Sequence, residues 1–167
     1  MSGREVVAPA GLVIRTVRYD DPDAVALIAE VQQEYVRRYG GPDDTPVSVA
    51  EFASPLGLFV VAYLAGDPVG CGGWRAHDAT DPGFADGDAE VKRMYVAPIA
   101  RGRGVARALL AELERTAAEA GRLRVMLETG TRQPEAIALY RSSGYRPVPS
   151  FGLYRGAPGS RCFARTL

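Results

Sequence analysis

Apolar and polar positions along this chain follow two periods, one suited to strands and one to helices. A short apolar run at residues 12–17 predicts a first strand. Asp21-Pro22 follows, an N-cap acid with proline at the first helical position. Ala24, Leu27, Ile28, Val31 and Tyr35 then recur at helical spacing, with Glu30, Gln33, Arg37 and Arg38 off the stripe. Gly40-Gly41-Pro42 ends this helix, and residues 46–53 suit a short second one. Residues 58–64 form a buried-type strand that Gly66-Asp67-Pro68 turns back into 69–75, a hairpin. Residues 77–88 hold four aspartates, two glycines and a proline, which predicts an exposed loop. A strand over 89–96 comes next. The strongest helix spans 104–120, where Val105, Leu109, Leu113 and Ala117 recur every four residues and Gly121 closes it. A strand at 124–129, a helix from Pro134-Glu135 to Ser142 capped by Gly144, and strands at 145–148 and 161–165 complete the chain. This order predicts one α/β (α+β) domain built on a single sheet over residues 12–167, behind a flexible stretch at 1–11.

Composition narrows the classes of function. At 167 residues the chain suits one domain and buries about 68–70% of its unfolded surface without staples. Twenty basic residues balance twenty acidic ones, which argues against a general nucleic-acid binder. Cys71 and Cys162 sit in apolar, strand-like runs and read as buried free thiols, with neither disulfide nor metal spacing. No window approaches the ~20 apolar residues of a membrane span, and the N-terminus lacks a signal-peptide core. The expectation is a cytoplasmic protein with no membrane or nucleic-acid partner and no metal, a monomer or homodimer.

The stretch from Glu90 to Ala106 carries the chemistry. It reads as a strand, a short loop holding Arg101, Gly102, Arg103 and Gly104, and the first turn of a helix. A helix N-terminus leaves backbone N–H groups unpartnered and carries partial positive charge, so glycines and arginines there make a phosphate cradle. A P-loop needs Lys-Ser/Thr after its last glycine, where Val105-Ala106 stand; a dinucleotide fingerprint needs a third glycine, where Arg107 stands. The competing reading is a tight strand-to-helix turn with solvated arginines.

Arg101-Gly-Arg-Gly-Val-Ala106 resembles the Arg/Gln-x-x-Gly-x-Gly/Ala loop of the GNAT superfamily of acetyl-CoA-dependent N-acetyltransferases. Met94-Tyr-Val-Ala-Pro98 is similar to that family's strand ending in Val-x-Pro, and Leu139-Tyr140 through Gly144-Tyr145 to its Leu-Tyr-x-x-x-Gly-Phe/Tyr helix end. The residues after Gly144 resemble a bacterial, small-molecule-type subgroup. The resemblance implies a mixed, mostly antiparallel sheet of six to seven strands with about four helices, splayed between strands 89–96 and 124–129. It implies that the backbone of Arg101, Gly102, Arg103, Gly104, Val105 and Ala106 binds the pyrophosphate of acetyl-CoA, and that Met94, Tyr95 and Val96 pair with the pantetheine arm. Arg103 or Arg107 can also reach a phosphate. Gln133 takes the place of a common CoA-contacting Asn, with the same amide on a longer stem.

Acetyl transfer requires the amine to lose a proton, the oxyanion to meet N–H donors and the departing thiolate to receive a donor. Tyr140 matches the family tyrosine near the CoA sulfur, and a phenol with pKa near ~10 is protonated at neutral pH. Glu90 matches a carboxylate that often serves as base; simple alternation sets Glu90, Lys92, Met94 and Val96 on one face. Glu128, ending the neighbouring strand, is its rival. His77, the one histidine, lies in the Asp-rich segment and reads as a solvated loop residue. The family's acceptor pocket, built by the first two helices and the last hairpin, maps onto Tyr35, Arg38, Tyr39, Phe151, Tyr154 and Arg155. Aromatics with arginines suit a small primary amine carrying a carboxylate. Acetylation of a protein or aminoacyl-tRNA amine and non-catalytic acyl-CoA binding are the alternative readings.

Overall fold

A computed structural model describes residues 8–167. The expected flexible stretch falls partly outside these, at residues 1–7. Seven strands form one sheet in the order β1-β2-β3-β4-β5-β7-β6. They are β1 Leu12–Val17, β2 Gly57–Leu64, β3 Asp67–His77, β4 Asp88–Val96, β5 Arg124–Gly130, β6 Arg146–Val148 and β7 Ser160–Thr166. Only β4 and β5 run parallel; every other neighbouring pair is antiparallel. Three α-helices cross its faces: α1 Pro22–Tyr39, α2 Val105–Glu119 and α3 Pro134–Ser142. The segment read as a short second helix forms a 3-10 turn at Val49–Phe52.

The helices begin and end within a residue of the expected positions, with Ala120 and Ser143 as the C-caps of α2 and α3, one residue before Gly121 and Gly144. Asp21 accepts from the Asp23 backbone N–H at 2.9 Å, and Gly40 closes α1 in the left-handed region. The α1 stripe of Ala24, Leu27 and Val31 packs with Phe52, Phe59, Val61 and Tyr95 on one face of the sheet. On the other face, α2 sets Val105, Leu109, Leu110, Leu113 and Ala117 against Val60, Ala62, Val91 and Val125, with Tyr140 of α3 in the same cluster. Both faces of β2 are therefore covered, which is why its run is apolar without alternation. Each of the fully buried α2 leucines contributes about 1.5–3 kcal/mol by leaving water.

Among the described residues no helix is long and apolar enough to cross a membrane, and no group of three or more His, Cys, Asp or Glu side chains is placed to hold a metal.

Candidate active site

Two defects in the sheet create the site. The β4–β5 ladder runs from Asp88↔Arg124 to Val91↔Leu127 and stops, although β5 continues along β7 to Gly130↔Ser160 and β4 along β3 to Val96↔Gly70. Past Val91 the two strands splay and leave facing backbone edges unpaired. The second defect is a bulge in β4, where the β3 register shifts between Cys71 and Gly73 and Arg93 adopts φ 59°. The bulge reverses the inward and outward positions. Val91 before it and Met94 and Val96 after it pack on the α2 side, whereas Tyr95 packs under α1. Glu90 and Lys92 thus do not share a face with Met94 and Val96, contrary to the simple alternation.

A cleft of about 860 Å³ fills the splay. At one end it meets the N-terminus of α2. Gly102 and Gly104 sit at φ 76° and 83°, a region other residues enter only with strain, and no heavy atom lies within 4 Å of where a Gly102 Cβ would stand. Among the described residues no side chain caps α2 and no acid lies in its first turn, so its leading N–H groups have no side-chain acceptor there. Arg101 donates from Nε to the Val96 carbonyl at 3.0 Å and pairs with Glu34 at 2.8 Å. Arg107 lines the cleft and reaches Ser142 and Ser143 of α3. Arg103 is exposed and does not line it. Amides with no side-chain acceptor among the described residues, followed by an unpaired strand edge, fit a pyrophosphate that continues into an amide-bearing arm, the shape of coenzyme A.

Tyr140 lines this cleft and is 6% exposed. Burial alone pushes its hydroxyl well above the ordinary tyrosine value, so it stays protonated. Glu128 also lines the cleft, with Ser160 Oγ donating to its Oε2 at 2.9 Å. Burial lifts Glu128 above the usual carboxylate range, against the opposing pull of Ser160 and Lys92.

Glu90 is placed differently. It is 4% exposed and does not line the cleft. Its Oε1 accepts from Arg75 Nε at 2.8 Å and lies 2.9 Å from His77 Nε2. Burial alone would raise its pKa, but the His77 hydrogen bond and the charges of Lys92 and Arg75 outweigh that and hold it low. His77 is accordingly no solvated loop residue. It ends β3, half-buried, stacks on Phe84 at 3.7 Å and sets its other nitrogen 2.8 Å from Asp81. The Asp-rich composition hid a residue whose strand extends two positions beyond the expected end.

With carboxylates on both ring nitrogens, protonated His77 donates twice and neutral His77 only once. Burial opposes the charge, but the hydrogen bonds to Glu90 and Asp81 outweigh it and raise the pKa. The contribution to stability is therefore full below the unfolded value of about 6.5 and is lost as pH rises through the higher folded value. His77→Gln is expected to cost about 1–3 kcal/mol at low pH. Melting curves of both proteins should converge as pH rises above neutrality; a constant gap from pH 5.5 to 8.5 would refute this.

At the far end of the cleft, Tyr35, Tyr39 and Tyr154 all line the wall. Tyr154 Oη accepts from the Asp44 backbone N–H at 2.7 Å, tying the loop before β7 to the loop after α1. Gln32 pins that second loop by bonding Asp43 through both its backbone groups. Gln133 lines the cleft and donates to Tyr39 Oη at 3.1 Å, and any side chain at Gly130 would collide with that hydroxyl. Three of the expected acceptor residues are elsewhere. Phe151 is 1% exposed, packed with Met126, Cys162 and Ala164. Arg38 lies outside the lining and bonds the Arg132 carbonyl and Glu135. Arg155 is exposed and also outside it. In their place stand Asp43, Lys92 and Arg93, which sequence reasoning missed. The one advance signal was the glycine-rich run Gly70-Cys71-Gly72-Gly73, since glycines inside a strand mark a bulge or close approach.

A family model described as the acetyltransferase (GNAT) family matches residues 26–145. An IAA acetyltransferase of Azospirillum brasilense is 36% identical over 155 residues, covering 91% of this chain and 97% of that protein. The uncharacterized N-acetyltransferase YjgM of Escherichia coli (strain K12) is 31% identical over 152 residues, with 85% and 86% covered. A crystal structure assigned as an acyl-CoA N-acyltransferase from Klebsiella pneumoniae superposes with a TM-score of 0.74 at 28% identity, over 93% of this chain and 97% of that one. With a family model across most of the sequence and close relatives along nearly all of it, this chain belongs to the GNAT family and is an acetyl-CoA-dependent N-acetyltransferase.

Proposed function

We propose that the protein moves an acetyl group from acetyl-CoA to the primary amine of a small molecule by direct attack. One observation carries the reading: the α2 N-terminus, Tyr140 and Glu128 all border one continuous cleft. The α2 amides, with Arg101 and Arg107, hold the pyrophosphate, and the unpaired β4 edge from Met94 to Val96 holds the arm. Glu128 accepts the proton of the amine. The nitrogen then forms a bond to the acetyl carbon, and backbone N–H groups of the splayed β4 edge stabilise the oxyanion. As the carbon–sulfur bond breaks, the nitrogen gives up its second proton to solvent and Tyr140 supplies a proton to the departing sulfur; Tyr140 then regains a proton from solvent and Glu128 releases the one it took. Glu128 is preferred to Glu90 because it borders the cleft, and burial makes its carboxylate a stronger base than a solvated one. Glu90 serves the fold, joining β3 to β4 through Arg75 and His77. The roof made by Asp44 and Tyr154 favours a small acceptor over a folded protein surface.

Donor binding is tested without any acceptor. Acetyl-CoA at 100 times its Kd should raise the melting temperature by about 5–10 °C, because a ligand that binds only the native state stabilises it. Gly104→Val should abolish the shift, since valine resists φ near 83° and fills the space before the amides. Arg101→Ala leaves the backbone unchanged and should weaken the shift. An unchanged shift in both variants would place the donor elsewhere.

A further inference from the structure

The far end of the cleft carries charges that acetyl transfer itself does not require. Lys92 and Arg93 are 9% and 5% exposed, and both line the cleft. They converge on a single atom, Asp43 Oδ2, with Lys92 Nζ at 2.8 Å and Arg93 Nη1 on the same oxygen. The other Asp43 oxygen is engaged by the Thr45 backbone N–H at 3.0 Å. Two buried cations thus share one carboxylate oxygen, and the other acids that feel the Lys92 charge are Glu90 and Glu128. Arg93 Nε is also buried without a partner among the described residues. A buried N–H donor left without an acceptor is costly, and a ligand carboxylate in the cleft supplies one. Facing this pair from β5 is a separate acid, Glu128. A plain polyamine would set its ammonium groups against Lys92 and Arg93, whereas a molecule with an amine and a carboxylate finds a partner for each.

We infer that the acceptor is a small amino acid-like molecule whose carboxylate binds Lys92 and Arg93 while its amino group faces Glu128. This rests on the reading of the cleft as an amine-acetylating site, and it moves recognition of the carboxylate from Arg38 and Arg155 to two residues at the β4 bulge. Asp43 then acts as a competitor that holds both cations in place until the acceptor arrives.

The test uses the full chain with acetyl-CoA and matched acceptors: α-, β- and γ-amino acids, each beside its primary amide. CoA release is the readout. At least one acid should exceed its amide in kcat/KM by about 10–100-fold, chiefly through KM, as expected for hydrogen bonds to a charged group. Lys92→Gln should collapse that ratio by raising KM for the acid; Lys92→Met, of similar volume, should do the same if the glutamine variant folds poorly. Asp43→Asn removes the competitor and should lower KM for the acid. Amides accepted as well as acids would overturn the inference. Turnover confined to amines without a carboxylate would overturn it and leave the amine acetyltransferase reading standing. Silence across every pair, with acetyl-CoA still raising the melting temperature, would overturn it while sparing the donor site. No thermal response to acetyl-CoA would bring down the donor site and the inference together.

Discussion

Tyr140→Phe is expected to lower kcat by about 10²–10⁴-fold, the usual loss when a positioned proton donor is removed. The substitution deletes one hydroxyl and keeps the ring that packs near Tyr145 and Phe163. Burial is the single cause raising its pKa, and no side chain among the described residues is held by its hydroxyl. The melting temperature should consequently change little, as should the thermal shift produced by acetyl-CoA. On the proposed mechanism the loss should fall on kcat, because the hydroxyl is assigned to the step in which the carbon–sulfur bond breaks rather than to donor binding. Its raised pKa also means that Tyr140 contributes no alkaline limb at ordinary working pH. Steady-state kinetics with any accepted amine decides the matter; a kcat within twofold of the parent would remove Tyr140 from the mechanism.

Glu128→Gln should cost about 10²-fold or more in kcat/KM at neutral pH, again on the scale of general acid–base catalysis. The sign of the pH dependence separates it from Glu90. Burial raises the folded pKa of Glu128, and the base must be ionised, so parental activity should fall as pH drops through that raised value. In Glu128→Gln this limb should vanish, leaving a rate governed by the amine's own protonation. Stability should move the opposite way. A carboxylate with a raised folded pKa costs stability once it ionises, so Glu128→Gln should be neutral or stabilising at pH 7–8. Glu90 has a lowered folded pKa, so its contribution is present above the unfolded value and fades as pH falls through the folded one. Glu90→Gln should therefore lower the melting temperature at neutral pH while leaving the acidic limb of the activity profile in place. If instead Glu90→Gln removed the acidic limb, the two carboxylates would exchange roles.

The glycine turn at the start of α2 was legible in the linear chain because it is built locally. Gly102, Gly104 and the α2 stripe are neighbours in sequence, and turn propensity with helical period is sufficient to place amides at a helix start. The Tyr140–Gly144 helix end was legible for the same reason. The acceptor end was not. Asp43 meets Lys92 and Arg93 across 49 and 50 residues of sequence, and Asp44 meets Tyr154 across 110. No local pattern encodes contacts of that range. The assignments of Phe151 and Arg38 failed similarly: an aromatic or an arginine near a site in sequence order turns either into the core or outward according to packing.

Local order along the chain is enough for most of the elements, the glycine-rich turn ahead of α2 and the family motifs, because each depends on residues within a few turns or a strand length of one another. Three things were decided only in three dimensions. The β4 bulge at Arg93 reversed which residues face α2, since one extra residue inverts a period of two. The splay expected between β4 and β5 acquired its starting point, the last ladder pair at Val91. Burial and ion pairing then separated two carboxylates of the same chemistry, leaving Glu90 bound to Arg75 and His77 and Glu128 beside open space with a raised pKa. A residue's type sets its ordinary pKa; only its surroundings set the value at which it works.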